Sequence, residues 1–530
     1  MFNPQLIRRA VPTILLAFLA LPAAAQSFRV QCPTQTKLHP LVNGLPNPHI
    51  KCQQISGGDG FATMGDGTQT YMFSFGPLSG LADIVNGQPG TETAAVFNQN
   101  NLDPSGNVLD AVKIGAPDGA SYAFNGAIGL VPDVEAQNGN IPAQPTTGPG
   151  SELSPAAWAQ QHALLTGHVD PRLVMDVGVL NGNIPAPMIA IDEGDELFLT
   201  LTNVGMVMRP DLFEQHTVHF HGYPNASAFY DGVPDASVAI NIGGSFTYYY
   251  LAPEAGTYMW HCHISPPEHL QMGMVGQLYV RPRQNSVATG ASLYAQLNTD
   301  QSDVSKKCDR TDMLCSAQLP AANSVARDAT KHYAYDDGDG STAFDVEYPI
   351  QMHGFDPNFH FVGMTFNPES FADNKDKFFL LNGRSYPDTI NTAPLSTQAT
   401  DGTPHFSQPL NTVINIPANG KALLRISDLN VTEFHTLASL GIKMHVIGLN
   451  ARLLRDQDGN NMDYYTNSIT LGGGETIDVI LDATGIAAPQ KFYLYTPQLD
   501  HLSNDAENFG GMMTEVNVCN AVDPTSKKCS

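Results

Sequence analysis

The 530-residue chain carries 26 Lys and Arg against 51 Asp and Glu, a formal charge of −25. Nucleic acid and anionic membrane surfaces are therefore poor partners. A hydrophobic share of 42% with 15% charged residues excludes a disordered chain, and 47 Gly with 38 Pro suits short strands joined by many turns.

Residues 1–26 read as an export signal: Arg8 and Arg9 precede the apolar run Val11 to Leu21, and Ala23-Ala24-Ala25 offers small residues for cleavage. No later stretch has the length and apolarity of a membrane span, so the product is expected in a periplasm or outside the cell. Residues 27–165 read as an N-terminal extension with first strands and an irregular insertion. The part from 86 to 165 is rich in Gly, Pro, Asn and Ala and lacks periodicity. Leu197, Leu199 and Leu201 then alternate with Phe198, Thr200 and Thr202, the period of a strand. Strands over Phe246–Leu251 and Gln277–Val280 complete a first domain at 166–282. Residues 283–344 read as a linker or irregular excursion. A second domain at 345–520 carries strands at Phe378–Leu381, Leu423–Ser427, Thr476–Leu481, Lys491–Thr496 and Glu515–Val518, and 521–530 is a tail. Strands at this spacing predict an all-β chain of two β-sandwiches, and the order of features in the two sets suggests an internal repeat.

Six of the seven cysteines fall in local couples, which an oxidising compartment could close as 32–52, 308–315 and 519–529. The seventh, Cys262, stands between two histidines.

Six of the 17 histidines lie in two segments, His216-Thr217-Val218-His219-Phe220-His221-Gly222 and Trp260-His261-Cys262-His263 continuing through His269 to Gly273-Met274. On strands, His219 and His221 share a face. His261 and His263 also point together while Cys262 points the other way. Two imidazoles, a thiolate and a weak axial thioether define a blue-copper electron-transfer site, and His216, Cys262, His269 and Met274 supply that set. The neighbouring histidines would face a second copper location. Closed zinc sites favour paired CxxC or HxxxH ligands, and neither spacing fits here.

These segments resemble the multicopper oxidase superfamily, built of cupredoxin domains. His216 to Gly222 resembles its H-P-x-H-x-H-G motif with Thr217 in the proline position. His261 to Met274 resembles its H-C-H-x₃-H-x₄-M motif with two extra residues before His269. Asp231-Gly232-Val233-Pro234 and Gly244-Ser245-Phe246-Thr247-Tyr248 add to the likeness. The resemblance implies two cupredoxin-like Greek-key β-sandwiches, type 1 copper at His216, Cys262, His269 and Met274, and type 2 and type 3 copper at His219, His221, His261 and His263. Cys262, His261 and His263 would carry electrons from a donor to an acceptor, oxygen or a small oxyanion.

The second domain departs from this pattern. His435 survives, but Ala438 and Leu440 occupy the two cluster-ligand places, and Tyr495-Thr496-Pro497 stands where H-C-H belongs. The leading expectation is a secreted copper oxidoreductase of multicopper oxidase type. Its alternatives are a copper-binding electron carrier with a vestigial second domain, and a nitrite-reductase-like type 2 copper enzyme. In the layout of copper nitrite reductases, one second-domain histidine (His360, His435 or His501) would complete a site across a trimer interface. His353, His360, His445 and His501 otherwise read as packing or surface histidines, and His435 as part of a scaffold without local imidazole partners. The acidic runs at 336–340 and 456–460 read as turns, and Asn225 and Asn430 head glycosylation sequons that matter only in a secreted eukaryotic context.

Overall fold

In the computed structural model of the protein, the described residues are 31–80, 83–84, 86–99, 182–206, 214–222, 227–242, 244–252, 254–302, 324–364, 370–398, 404–523 and 525–530. The export signal, most of the insertion, the 308–315 cysteine couple and Asn225 lie outside them.

The first sandwich opens with β1 (Ile50–Thr63), β2 (Gln69–Pro77), β3 (Glu92–Thr93) and helix α1 (Ala94–Gln99). It continues with β4 (Ile189–Asp192), β5 (Glu196–Gly205), β6 (His219–Phe220), β7 (Ser245–Leu251) and β8 (Gly256–His261). Helix α2 (Pro266–Gln271) and β9 (Val275–Arg281) close it. One sheet runs β2-β1-β5-β7 with β3 on β1, and the other runs β4-β9-β8-β6. Their inner faces meet in a core that includes Ile55, Phe73, Leu197, Leu199, Leu201, Tyr248, Trp260 and Leu278. The sandwich thus draws two long strands from residues before 166. In β1 the stretch from Gln53 to Asp59 is buried on both faces although Gln53, Gln54, Ser56 and Asp59 are polar, so no hydrophobic alternation marks it.

Residues 283–344 hold helix α3 (Leu293–Ser302) and the hairpin β10 (His332–Tyr333)–β11 (Ala343–Phe344). Of the helix, Leu293 and Leu297 pack beside Val287, a contact too small to give a sequence signal.

The second sandwich comprises β12 (Val346–Phe355), helix α4 (Pro357–Met364), β13 (Phe378–Leu381) and a side hairpin β14 (Leu395–Gln398)–β15 (Pro404–Gln408). Strands β16 (Ile414–Pro417), β17 (Lys421–Asp428), β18 (His435–Leu440), β19 (Met444–Leu449), β20 (Arg452–Leu453), β21 (Tyr464–Thr466) and β22 (Ser468–Leu471) follow. The last three are β23 (Thr476–Asp482), β24 (Gln490–Tyr495) and β25 (Met513–Cys519). Its sheets run β13-β12-β17-β23-β19-β20, with β21 on β19, and β16-β25-β24-β18-β22. Alternation explains where each strand points. Ile477, Val479 and Leu481 of β23 enter the sandwich core, as do Ala422, Leu424 and Ile426 of β17. The opposite faces turn towards the first sandwich, where Arg425 lies 3.1 Å from Glu347 and Glu347 lies 2.8 Å from Arg281. Asp478 accepts from Thr257 at 2.5 Å.

The pairings of the two sandwiches correspond: β1–β5 and β12–β17 are parallel, and β4–β9 and β16–β25 are parallel too. Disulfides join Cys32 to Cys52 and Cys519 to Cys529. Among the described residues no helix is long and apolar enough to cross a membrane.

Candidate metal centre

Two donor clusters lie back to back at one end of the first sandwich. His216 is held by paired backbone bonds with Ile240, before β6 begins. Cys262 follows the last residue of β8. Ser265, in left-handed backbone (φ 37°), starts the short helix α2 that carries His269, and Gly273 (φ 108°) turns the chain back into Met274. Cys262 N donates to Met274 O at 3.2 Å, and Met274 N to His269 O at 2.8 Å. The loop is thereby tied across itself. His269 Nδ1 lies 3.2 Å and His216 Nδ1 3.9 Å from Cys262 Sγ, and all three residues are buried.

Gly57 of β1 makes room for this cluster. A Cβ there would stand 2.7 Å from the His216 ring and 3.4 Å from the Met274 methyl, so His216 and Met274 close on the same point. Glu214 Oε2 lies 3.7 Å from His269 Nε2 on the outer side. Thr217 binds both limbs: its N–H donates to Cys262 Sγ at 3.4 Å and its hydroxyl accepts from His263 N at 3.0 Å. Burial opposes ionisation of Cys262, yet the His269 charge and hydrogen bonds from His216 and His269 hold the thiol well below its ordinary range. Burial likewise opposes protonation of His269, but the Cys262 charge and Glu214 raise it to about 9.

The second cluster forms on the other face of the same strand pair. His219 and His261 are direct cross-strand partners in β6 and β8. One nitrogen of each ring is tied to backbone: His219 Nδ1 donates to Asp231 O at 2.6 Å and His261 Nδ1 to Cys262 O at 2.7 Å. His221 hydrogen-bonds to the backbone of Gly474 in the second sandwich. The remaining nitrogens converge, with His221 Nε2 and His261 Nε2 2.9 Å apart. Ligand atoms of His219, His221 and His261 all fall within 4.8 Å of one another. His263 stands alongside, its ring centroid 5.0 Å from that of His219, without joining that convergence. Burial, followed by neighbouring imidazoles, lowers His221 to about 4. Burial lowers His261 to about 3. Both rings are neutral near neutrality and offer lone pairs.

Residues 166–285 match the family described as multicopper oxidase. The curated relatives include the multicopper oxidase MCE of Talaromyces pinophilus, 35% identical over 21% of this chain and 17% of its own length. Another is laccase abr2 of Aspergillus fumigatus, 32% identical over 24% of this chain and 19% of its own. The chain matches about a fifth of the length of these relatives. A blue copper oxidase from Nitrosomonas europaea is 22% identical and covers 64% of this chain and 78% of its own, at a TM-score of 0.42.

The donors gathered at this end of the first sandwich fit copper. Imidazole, thiolate and thioether are its soft and borderline ligands, and the buried His216 Nδ1, His269 Nδ1 and Cys262 Sγ leave a gap between them that only a small ion would fill. The second sandwich presents no such donors at the matching strand places, where Ala438 pairs with Tyr495. His501, however, does not stand alone. Its ring stacks on Phe379 at 3.9 Å and approaches that of His435 at 5.7 Å. His353 and His360 are fully buried, Asn430 is buried with its amide 3.2 Å from His435 Nε2, and His445 pairs with Asp463 at 3.1 Å. The acidic runs are turns, as Asp337 and Asp456 accept from backbone within them.

Gly57, Glu214, Asp231, Gly474 and the N–H of Thr217 escaped the sequence reading. The Thr217 departure from proline was visible, and an N–H where proline has none is a readable signal. The others contribute only through contacts distant in sequence.

Proposed function

We propose that the chain is a copper-dependent oxidoreductase of multicopper oxidase type, with His216, Cys262, His269 and Met274 holding type 1 copper. His219, His221 and His261, with His263 beside them, hold the copper that meets the acceptor. The observation that carries this reading is the single residue step from Cys262 to His261, which belong to opposite clusters. When bound, copper supplies one-electron transfer at both places. The protein supplies the rest. Cys262 is bonded through backbone to His261, and the His261 Nδ1–H donated to the Cys262 carbonyl adds a hydrogen-bonded shortcut. Asp231, Cys262 and Gly474 fix the three imidazoles through backbone groups, so each ring keeps its other nitrogen for metal. The closed core around Cys262 excludes water from the thiolate.

In this reading the donor is a small reductant and oxygen the acceptor. The two disulfides support an exported setting. Copper counting, electron paramagnetic resonance and oxygen uptake with phenolic and metal-ion donors test it on one preparation. Uptake requiring both Cys262 and His261 is the expected result, and a fully copper-loaded protein that consumes no oxygen with any donor overturns it.

A further inference from the structure

The loops that follow β8 and β24 share one backbone frame. Ala438 pairs with Tyr495 as His219 pairs with His261, which sets Thr496 in the place of Cys262. Thr496 N donates to Met512 O at 3.0 Å, and Met512 N to His501 O at 3.0 Å. These are the same two bonds that join Cys262, Met274 and His269. The outer support of the two loops differs. Behind the second loop stands Asn504 of the same sandwich, fully buried, which accepts from Gly511 N at 3.0 Å and donates to Tyr386 O at 2.9 Å. In the first loop the last turn is also tied at home, where Ser74 of β2 hydrogen-bonds to Gly273 O. Helix α2, which carries His269, is instead held by the second sandwich.

Gln271 makes that connection. It follows His269 by two residues and so stands on the other side of the helix, with no exposed surface. Its Nε2 donates to Asp376 Oδ1 at 2.8 Å and to Asn374 Oδ1 at 3.3 Å. Its Oε1 accepts from Asp356 N at 3.1 Å. His360 of α4 brings Nε2 to 3.0 Å from Gln271 O and sets Nδ1 against Tyr71 O of β2. Asp356 accepts from Asn358 N at 2.9 Å at the start of α4 and from Lys375 N at 2.7 Å. Gly354 makes room for Asp376, since a Cβ there would stand 2.2 Å from Asp376 Oδ2. Phe359 of α4 enters the core that also holds Cys262, Met272 and Met274. Residues 354–360 and 374–376 are thus arranged around one side-chain amide of the first sandwich.

We propose that Gln271 is a positioning residue for the copper at Cys262, served from the second sandwich by Asp356, His360 and Asp376. The proposal rests on the reading of His269 as a copper ligand. The stretch from His263 to His269 is two residues longer than the family spacing, and α2 has only six residues. A helix that short has no stability of its own, so an external hold keeps His269 Nδ1 at 3.2 Å from Cys262 Sγ. The sandwich that lacks copper donors supplies this hold, and groups behind metal ligands set affinity and geometry.

The test titrates the metal-free full chain with Cu(II) against a competing chelator and records visible and paramagnetic resonance spectra. Gln271→Met keeps the length of the side chain and removes its amide. It should weaken copper at Cys262 by about 10–100-fold and change the copper hyperfine splitting. His360→Phe should move both readings in the same direction by less. The double variant Gln271→Glu/Asp376→Asn exchanges donor and acceptor and should recover the parent spectrum. Thr257→Val serves as the control. It removes the bond to Asp478 across the same seam, so it should lower the melting temperature and leave spectrum and affinity unchanged. Parent spectra and affinity in both Gln271→Met and His360→Phe, a double variant that behaves as Gln271→Met does, or an equal spectral change in Thr257→Val overturns the proposal alone. A copper-loaded parent chain without a blue band overturns the copper reading and the proposal with it.

Discussion

The first and second sandwiches share strand order, register and the backbone bonds around one loop, yet only the first gathers a thiolate and four neighbouring imidazoles. The difference shows that the cupredoxin frame and its donors are separable. Backbone pairing places side-chain positions around a pocket, and the residue at each decides its chemistry. At the place of Gly57 in the register, the second sandwich has Met352, a buried core residue. The first sandwich gives up packing there to admit His216 and Met274, and the second fills the space.

Cys262→Ser should erase the blue band entirely, because the sulfur that carries the charge transfer is gone while the core strands remain. A surviving band would locate the blue copper elsewhere and dissolve the contrast between the sandwiches. Gly57→Ala moves the first site towards the closed state of the second. With its Cβ 2.7 Å from the His216 ring, we expect copper affinity at Cys262 to fall by about 10–100-fold, measured by titration against a competing chelator.

His353 of β12 provides a smaller effect, confined to the second sandwich. Burial lowers it to about 3 from the ordinary 6.5, so the folded chain keeps it neutral while the unfolded chain takes up a proton below pH 6.5. Its contribution is therefore lost as pH falls, by about 2 kcal/mol between pH 6.5 and 5. Urea denaturation at the two pH values should show that loss, and His353→Gln should lessen it. The smallest change expected is in Thr217→Pro, which restores the family residue and removes the N–H donated to Cys262 Sγ. Hydrogen bonds to the cysteine sulfur tune the potential of a blue site. Their loss makes the thiolate a stronger donor, so the potential should drop while the blue band persists. An unchanged potential in voltammetry would show that this hydrogen bond has no electronic role.

Much of this was legible in the sequence. The strand over Leu197–Leu201 alternates cleanly because its leucines face one core, and the His-Cys-His run displays its two-sidedness through strand period alone. The all-β class follows from the same alternation. β1 was hidden because its polar residues are buried as deeply as its apolar ones, leaving no periodic pattern. The nearness of His501 to His435 was hidden for another reason. They are brought together by the pairing of β18 with β24 and by the turn after Tyr495, and spacing along the chain carries no trace of that closure. Gly474 lies further still, its backbone meeting His221 only because the two sandwiches dock.

The charged contacts between the sandwiches bear on how the chain comes apart. Arg425 is fully buried between Glu347, Asp478 and the ring of Tyr279, and its partners come from both sandwiches. Separating the two halves would break the Arg281–Glu347 pair, the Thr257–Asp478 hydrogen bond and the contact of Arg425 with Tyr279, all of which cross the seam. Neither half can therefore melt while the other stays intact at little cost. Calorimetry of the whole chain should give one cooperative transition spanning both sandwiches, and an imidazole clamp at one end of the molecule inherits its rigidity from salt bridges at the seam.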